Sequence, residues 1–202
     1  MGGTMTAESV EHRHQWPVPP QDGYTVDDLF TLPELPSHTE LIDGSLIFVS
    51  PQRRFHTIVI DLLVNGLRRG LPAEFKVNRE MTVMLDKRNA PEPDISVIRA
   101  AAITGPDQSR FEAEDVLLAI EVVSPESESR DRTTKPQKYA AAGIQNYWRV
   151  ERGGTGDSRP VVHVYELDPS TRAYVHSGMY RDQLKVGRPY DIDIDLTAID
   201  EL

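Results

Sequence analysis

The run "VLLAIEVVS", residues 116–124, constrains the fold more than any other stretch of the chain. Apolar side chains occupy both alternating sets of positions, so a strand built from it has no face for water and belongs in the middle of a sheet covered on both sides. Inside it stands one carboxylate, Glu121. Burying a charge there costs several kcal/mol unless a partner or a cation compensates it. A second strand-like run, "PEPDISVI" at 91–98, carries Asp94 directly after Pro93. If the two strands are neighbours, the carboxylates converge, and two hard oxygen ligands with water make a Mg²⁺ or Mn²⁺ site. The plainer readings are a turn residue after proline for Asp94 and a buried ion pair for Glu121. Glu40, in "TELIDG", is either a third carboxylate of the same site or an outward-facing hairpin residue, while Asp43 is explained by the turn itself.

The rest of the chain supplies the elements around that strand. Thr25 caps a short helix that ends near Pro33, and Asp43-Gly44 joins two strands as a hairpin. From Phe55 to Gly70 the residues Phe55, Ile58, Val59, Leu62, Leu63 and Leu67 recur at helical spacing. "AEFKVNREMTVMLD" alternates as one half-buried antiparallel strand, and "DISVIR" follows as another. After the central run, "TTKPQKYAAAG" reads as a helix entered through Thr133 or Thr134, with Pro136 in its first turn and Gly143 as its stop. "IQNYWRVE", a hairpin loop "RGGTGDSRP", then "VVHVYEL" and "AYVHSGMY" add strands before the tail "DIDIDLTAI". This order predicts a mixed sheet with helices on its faces, an α/β fold bordering on α+β with a C-terminal antiparallel extension. It has no internal repeats and no linker that would divide it, so residues 24–202 form a single domain behind a polar, Pro-rich, flexible N-terminal arm, 1–23.

Composition excludes several function classes. The absence of cysteine removes disulfides, thiolate metal sites and cysteine nucleophiles. The arm lacks the apolar core of a signal peptide, and no apolar run approaches a membrane span, which predicts a soluble, cytoplasmic protein with no membrane partner. The formal charge of -10 opposes a general nucleic-acid coating protein, which needs a broad basic surface. A local basic groove remains open, with candidates in Arg53 and Arg54, Arg68 and Arg69, and the set Arg130, Arg132, Lys135 and Lys138.

That last set matters because a metal-assisted hydrolase needs a group to orient water and to balance charge in the transition state. Asp131, Lys135 and Lys138 fall at i, i+4 and i+7 on one helix face with Tyr139 close by, and Lys135 stands at the helix start, where it can point back toward the end of the central strand. The alternative is a pair of solvent-facing lysines balanced by Asp131. His163 and His176 lie at no ligand-like spacing and read as structural.

"TELIDG", "FHTIVIDLL", "PEPDISVI" and "LAIEVVSPESESRDRTTKPQKYAAAGIQNYWRV" together resemble the Uma-two family of restriction-endonuclease-like proteins, within the PD-(D/E)XK nuclease superfamily, over about residues 24 to 200. The resemblance implies a restriction-endonuclease-like core, a Mg²⁺-dependent phosphodiesterase site that also takes Mn²⁺, DNA as substrate, and a homodimer. Carried over by position, it implies Glu40, Asp94 and Glu121 as catalytic and metal-binding carboxylates and Lys135 as the catalytic lysine. His56 matches a histidine at the start of the family's long helix, with a role either at the site or in local capping. One departure stands out: Val123 occupies the position two beyond Glu121 where the superfamily's signature has lysine, and the family pattern moves that lysine to the next helix. The expectation is therefore a divalent-metal-dependent endonuclease. A catalytically inactive nuclease-fold module is the alternative, and metal-free acid/base hydrolysis by two carboxylates ranks third, because a nearby lysine lowers a carboxylate pKa.

Overall fold

The computed structural model describes residues 18–154 and 159–202. Most of the expected arm, and part of the "RGGTGDSRP" loop, lie outside them. Helix α1 (Val26–Thr31) opens with a capping box in which the Thr25 hydroxyl and the Asp28 carboxylate satisfy each other's backbone N–H groups. Strands β1 (Thr39–Ile42) and β2 (Ser45–Phe48) form the expected hairpin, and Asp43 and Gly44 take the left-handed backbone, φ 50° and 75°, that a tight two-residue turn demands. The long helix α2 (Arg54–Arg68) buries Val59, Ile60, Leu63 and Leu67.

The alternating stretch read as one strand is two. After β3 (Phe75–Arg79), Glu80 turns into the left-handed region, φ 48°, and β4 (Thr82–Met84) leaves the sheet to pair in parallel with β6 (Arg110–Glu112), a short strand in the polar stretch that leads into the central run. Between them β5 (Ile95–Arg99) runs antiparallel to β3. The central strand β7 (Val116–Val122) lies between β5 and β8 (Asn146–Arg152), antiparallel to the first and parallel to the second. The crossover carries a π-helical turn (Arg130–Thr134) and helix α3 (Lys135–Ala141), which ends as Gly143 adopts φ 87°. Strands β9 (Pro160–Asp168) and β10 (Ala173–Tyr180) complete a six-stranded mixed sheet in the order β10-β9-β8-β7-β5-β3.

The two faces of that sheet bury different things. Leu118, Ile120 and Val122 of β7 join α2 in the larger core, whereas Ala119 packs in a second core with Tyr139 and Ile144. Fully covering a side chain such as Ile120 contributes about 1.5–3 kcal/mol, and continuous burial of β7 is why its sequence tolerates almost no polar residue. The sequence reading missed two strands here: β11 (Gln183–Val186), ahead of the tail, pairs with β12 (Ile192–Asp195), within it, and this hairpin closes the larger core against α2. The match of helices and strands confirms the mixed α/β class. Among the described residues no helix is long and apolar enough to cross a membrane.

Gly66 shows how closely α2 and β12 approach. A Cβ added there would lie 2.6–2.8 Å from three side-chain carbons of Ile194, which is itself only 1% exposed. Gly66→Ala should destabilise the protein by about 1–2 kcal/mol in urea titration, although alanine favours a helix by about 1 kcal/mol, because overpacking outweighs propensity.

Candidate functional site

Glu121 is the penultimate residue of β7, at the carboxyl end of the one parallel strand pair in the main sheet. Open α/β sheets place ligands at such ends. By strand alternation its side chain faces α3 rather than α2, and the phenol of Tyr139 donates a 2.6 Å hydrogen bond to Oε1. The π-helical turn feeds directly into α3 and sets Lys135, 4% exposed, against the same carboxylate: Nζ lies 3.0 Å from Glu121 Oε1, 2.8 Å from Glu40 Oε1 and 3.6 Å from Asp131 Oδ1. Lys135 keeps helical angles, φ -60° and ψ -46°, despite the Pro136 that follows it, so proline does not turn it away. Lys138 does not share this face; it is partly exposed and pairs with Asp43. Of the two lysines, it is Lys135 that reaches Glu121.

Glu40 arrives from outside the main sheet. Leu41 and Ala90 exchange backbone hydrogen bonds of 3.1 and 2.8 Å, docking the hairpin on the chain just ahead of β5, and Glu92 N–H then donates to Glu40 Oε1 at 2.8 Å. Glu40 is 2% exposed, which excludes the outward-facing reading. Asp94 sits immediately before β5, where Val122 N–H donates to Oδ2 at 2.6 Å and His56 Nε2 lies 3.0 Å from Oδ1. His56 is thus a contact of the site, reached from the first turn of α2, while its Nδ1 is buried without a hydrogen-bond partner. Glu40, Asp94, Glu121, Asp131 and Lys135 all line one pocket of about 860 Å³. Arg53, Arg130, Arg132 and Arg152 line it as well, and Phe55, Val123 and Pro125 give it an apolar side. Two non-glycine residues on its wall, His38 and Glu80, hold left-handed backbone angles of 59° and 48°. Such strain persists only where the surroundings enforce it.

Four carboxylates, Glu40, Asp94, Glu121 and Asp131, bear on one ammonium. Burial alone would lower the Lys135 pKa, but Glu121, Glu40 and Asp131 outweigh it and hold the amine charged. Burial also drives Glu121 well above the usual carboxylate range, and the pull of Lys135 does not reverse it. The sequence argument that this lysine would depress its neighbour is overturned by desolvation. Asp131 rises for the same reason, and its Oδ1 has no hydrogen-bond partner while its other oxygen accepts from Ser127. Burial opposes a raised His56 pKa, yet the bond to Asp94 prevails. Burial and Glu121 together keep the Tyr139 phenol protonated, so it remains a donor.

A surplus of buried negative charge on hard oxygen atoms suits a divalent cation in kind, and the Asp131 oxygen that accepts no hydrogen bond has unspent acceptor capacity. Asp94 and Glu121 could hold such an ion, with Glu40 beside them. Among the described residues no three His, Asp or Glu side chains converge as a cation cage. Magnesium does not require one, because it keeps several waters and is held by one or two carboxylates.

Sequence reasoning therefore named the four residues that meet here, and missed Asp131 as a buried member, Tyr139 as a donor to Glu121, and the wall residues His38, Glu80 and Glu92. The i, i+4, i+8 spacing of Asp131, Lys135 and Tyr139 was the available signal for the first two. Lys135→Met should lower the unfolding free energy by about 3–5 kcal/mol in urea titration, since it leaves buried carboxylates uncompensated. Glu121, with a folded pKa above its ordinary 4.5, contributes stability that is complete below that value and is lost as pH rises through the raised one. Without added metal, the thermal midpoint of Glu121→Gln should accordingly fall less than that of the wild type as pH rises above the ordinary 4.5.

A crystal structure of a "putative nuclease belonging to DUF820" from Anabaena variabilis ATCC 29413 superposes with a TM-score of 0.62 at 18% identity, covering 88% of this chain and 92% of that one, which is a likeness of fold. No curated protein sequence matches the chain. Residues 26–189 match Uma2, described as "Putative restriction endonuclease". With most of its length inside that match, the chain belongs to the Uma2 family of nucleases.

Proposed function

We propose that the protein is a divalent-cation-dependent endonuclease that hydrolyses DNA phosphodiester bonds, using Mg²⁺ and accepting Mn²⁺. The supporting observation is the convergence of Glu40, Asp94, Glu121 and Lys135, from four separate segments, on one pocket. In this reading Asp94 and Glu121 are the cation ligands, Glu40 supports them directly or through water, and Lys135 is the catalytic cation. A bound divalent ion would supply Lewis-acid polarisation of the scissile phosphate and a more acidic water.

The chain's own residues do the rest. His56 and the Val122 N–H hold both oxygens of Asp94, fixing the carboxylate's orientation before substrate arrives. The Lys135 ammonium is held between Glu40, Glu121 and Asp131 on the pocket wall, where a phosphoryl oxygen or the attacking water would meet it. Tyr139 and Glu40 hold that ammonium and its partner in place, so little reorganisation is needed as charge develops in an in-line displacement. The four pocket arginines can meet flanking phosphates, a task that suits their planar donor fork. Lys135 favours a catalytic site over an inactive module: it restores beside Glu121 the cation that Val123 removes from the strand. A cytoplasmic setting and a homodimer belong to the same reading, with the exposed Val175 of edge strand β10 as apolar surface that a second copy would cover.

Plasmid nicking in Mg²⁺ or Mn²⁺ tests the proposal. Asp94→Asn, Glu121→Gln and Lys135→Ala, each checked for folding by circular dichroism, should lose at least about 100-fold in rate; unchanged rates in all three would sink it. Calorimetric titration of the wild type with Mn²⁺ should show binding that Asp94→Asn abolishes, whereas no binding by the wild type would leave the inactive module as the better account.

A further inference from the structure

The face of β8, β9 and β10 that looks toward α3 continues outward from the pocket. Strand register places Arg149, His163 and Met179 side by side in one row across the three strands, and Tyr147, Tyr165 and His176 in the next. The rings of the second row touch: Tyr147 and Tyr165 lie 5.7 Å apart between centroids, and Tyr165 and His176 meet edge-on at 5.1 Å. His163 bridges the rows at 5.7 Å from His176, and the Arg149 guanidinium sits 5.4 Å above the Tyr165 ring. Toward solvent the face opens, with His176 exposed and Met179 49% exposed. Neither histidine is spent on a buried structural contact.

Two arginines stand beside this face, both paired with Glu151: Arg149 at 2.6 Å and Arg132 at 2.8 Å. The groups acting on His163 are Arg149, Arg132 and His176 against one acid, Glu151, and burial together with the arginines holds its pKa below the usual histidine value. Arg132 and Glu151 also line the pocket, so the face begins at the pocket's rim. Tyr147 is buried and backs the row, while the half-buried rings of Tyr165 and His163 and the exposed ring of His176, with the Arg149 guanidinium over Tyr165, match an unpaired nucleotide strand, whose bases stack on rings and whose phosphates meet arginine. A duplex keeps its base faces stacked on one another and offers nothing to those rings.

We propose that this sheet face is a platform for single-stranded nucleic acid, leading the strand to or from the pocket, an inference that rests on and deepens the nuclease reading. The test is fluorescence anisotropy with a fluorescein-labelled oligothymidylate of about 20 nucleotides and a duplex of the same length, in Ca²⁺ in place of Mg²⁺, for the wild type, His176→Glu and Met179→Glu. The wild type should bind the single strand at least about 10-fold more tightly than the duplex, and each variant should lose about 10-fold. Both substitutions are at exposed positions, and both should leave hydrolysis of bis(p-nitrophenyl) phosphate in Mn²⁺ unchanged, since that diester is too small to reach the face. Wild-type affinity in both variants, or a preference for duplex, overturns the platform. Single-strand binding that depends on this face, from a wild type that hydrolyses no small diester, supports the platform and overturns the nuclease reading instead.

Discussion

The ammonium of Lys135 is the interaction on which the rest of the site depends. It is buried, and it touches carboxylates from a peripheral hairpin, from the central strand and from its own helical turn. An isolated charge at that depth would cost far more than the chain's margin of stability. Each partner is therefore tied to the others: the hairpin docks where Glu40 can reach the amine, and the crossover from β7 must return α3 over the end of the strand. The tie has its own cost, because replacing buried ion networks by apolar residues is often stabilising. Stability alone therefore does not account for four carboxylates around one lysine.

Much of this was legible in the sequence because the informative residues break a local rule. Glu121 interrupts an apolar strand, and Asp94 opens another, so both invite a chemical explanation before any coordinates exist. The capping of α1, the Asp43-Gly44 turn and the Gly143 stop follow from backbone preferences that operate within a few residues, and the structure reproduces them. Other features depend on long-range partners. The split between β3 and β4 is decided by where β6 lies, about thirty residues on, since alternation alone is equally consistent with one strand. Strand β11 is too short and polar to announce itself without β12. The direction of the Glu121 pKa turns on how completely its surroundings exclude water, a quantity that no spacing rule encodes.

The electrostatics of the molecule are divided rather than uniform. A chain of net charge -10 places a buried acidic cluster at the bottom of a pocket, arginines along its walls, and a ring-rich face with two arginines beside it. Net charge opposes nonspecific attraction to nucleic acid, while local arginines provide contacts wherever a strand is already placed. Backbone strain at His38 and Glu80 belongs to the same wall, where carboxylates crowd and regular pairing stops.

The π-helical turn ahead of α3 has a bearing on how such a chain can vary. An α-helix advances about 100° per residue, so one residue gained or lost within the turn Arg130–Thr134 would swing the ammonium roughly a quarter-turn off the carboxylates. Substitutions in "SPESESRDRTT" leave the count intact, and most of that segment faces solvent. At its exposed positions the stretch can change in composition, whereas Asp131, the Ser127 hydroxyl that donates to it, and the number of helical residues ahead of Lys135 are held by the site.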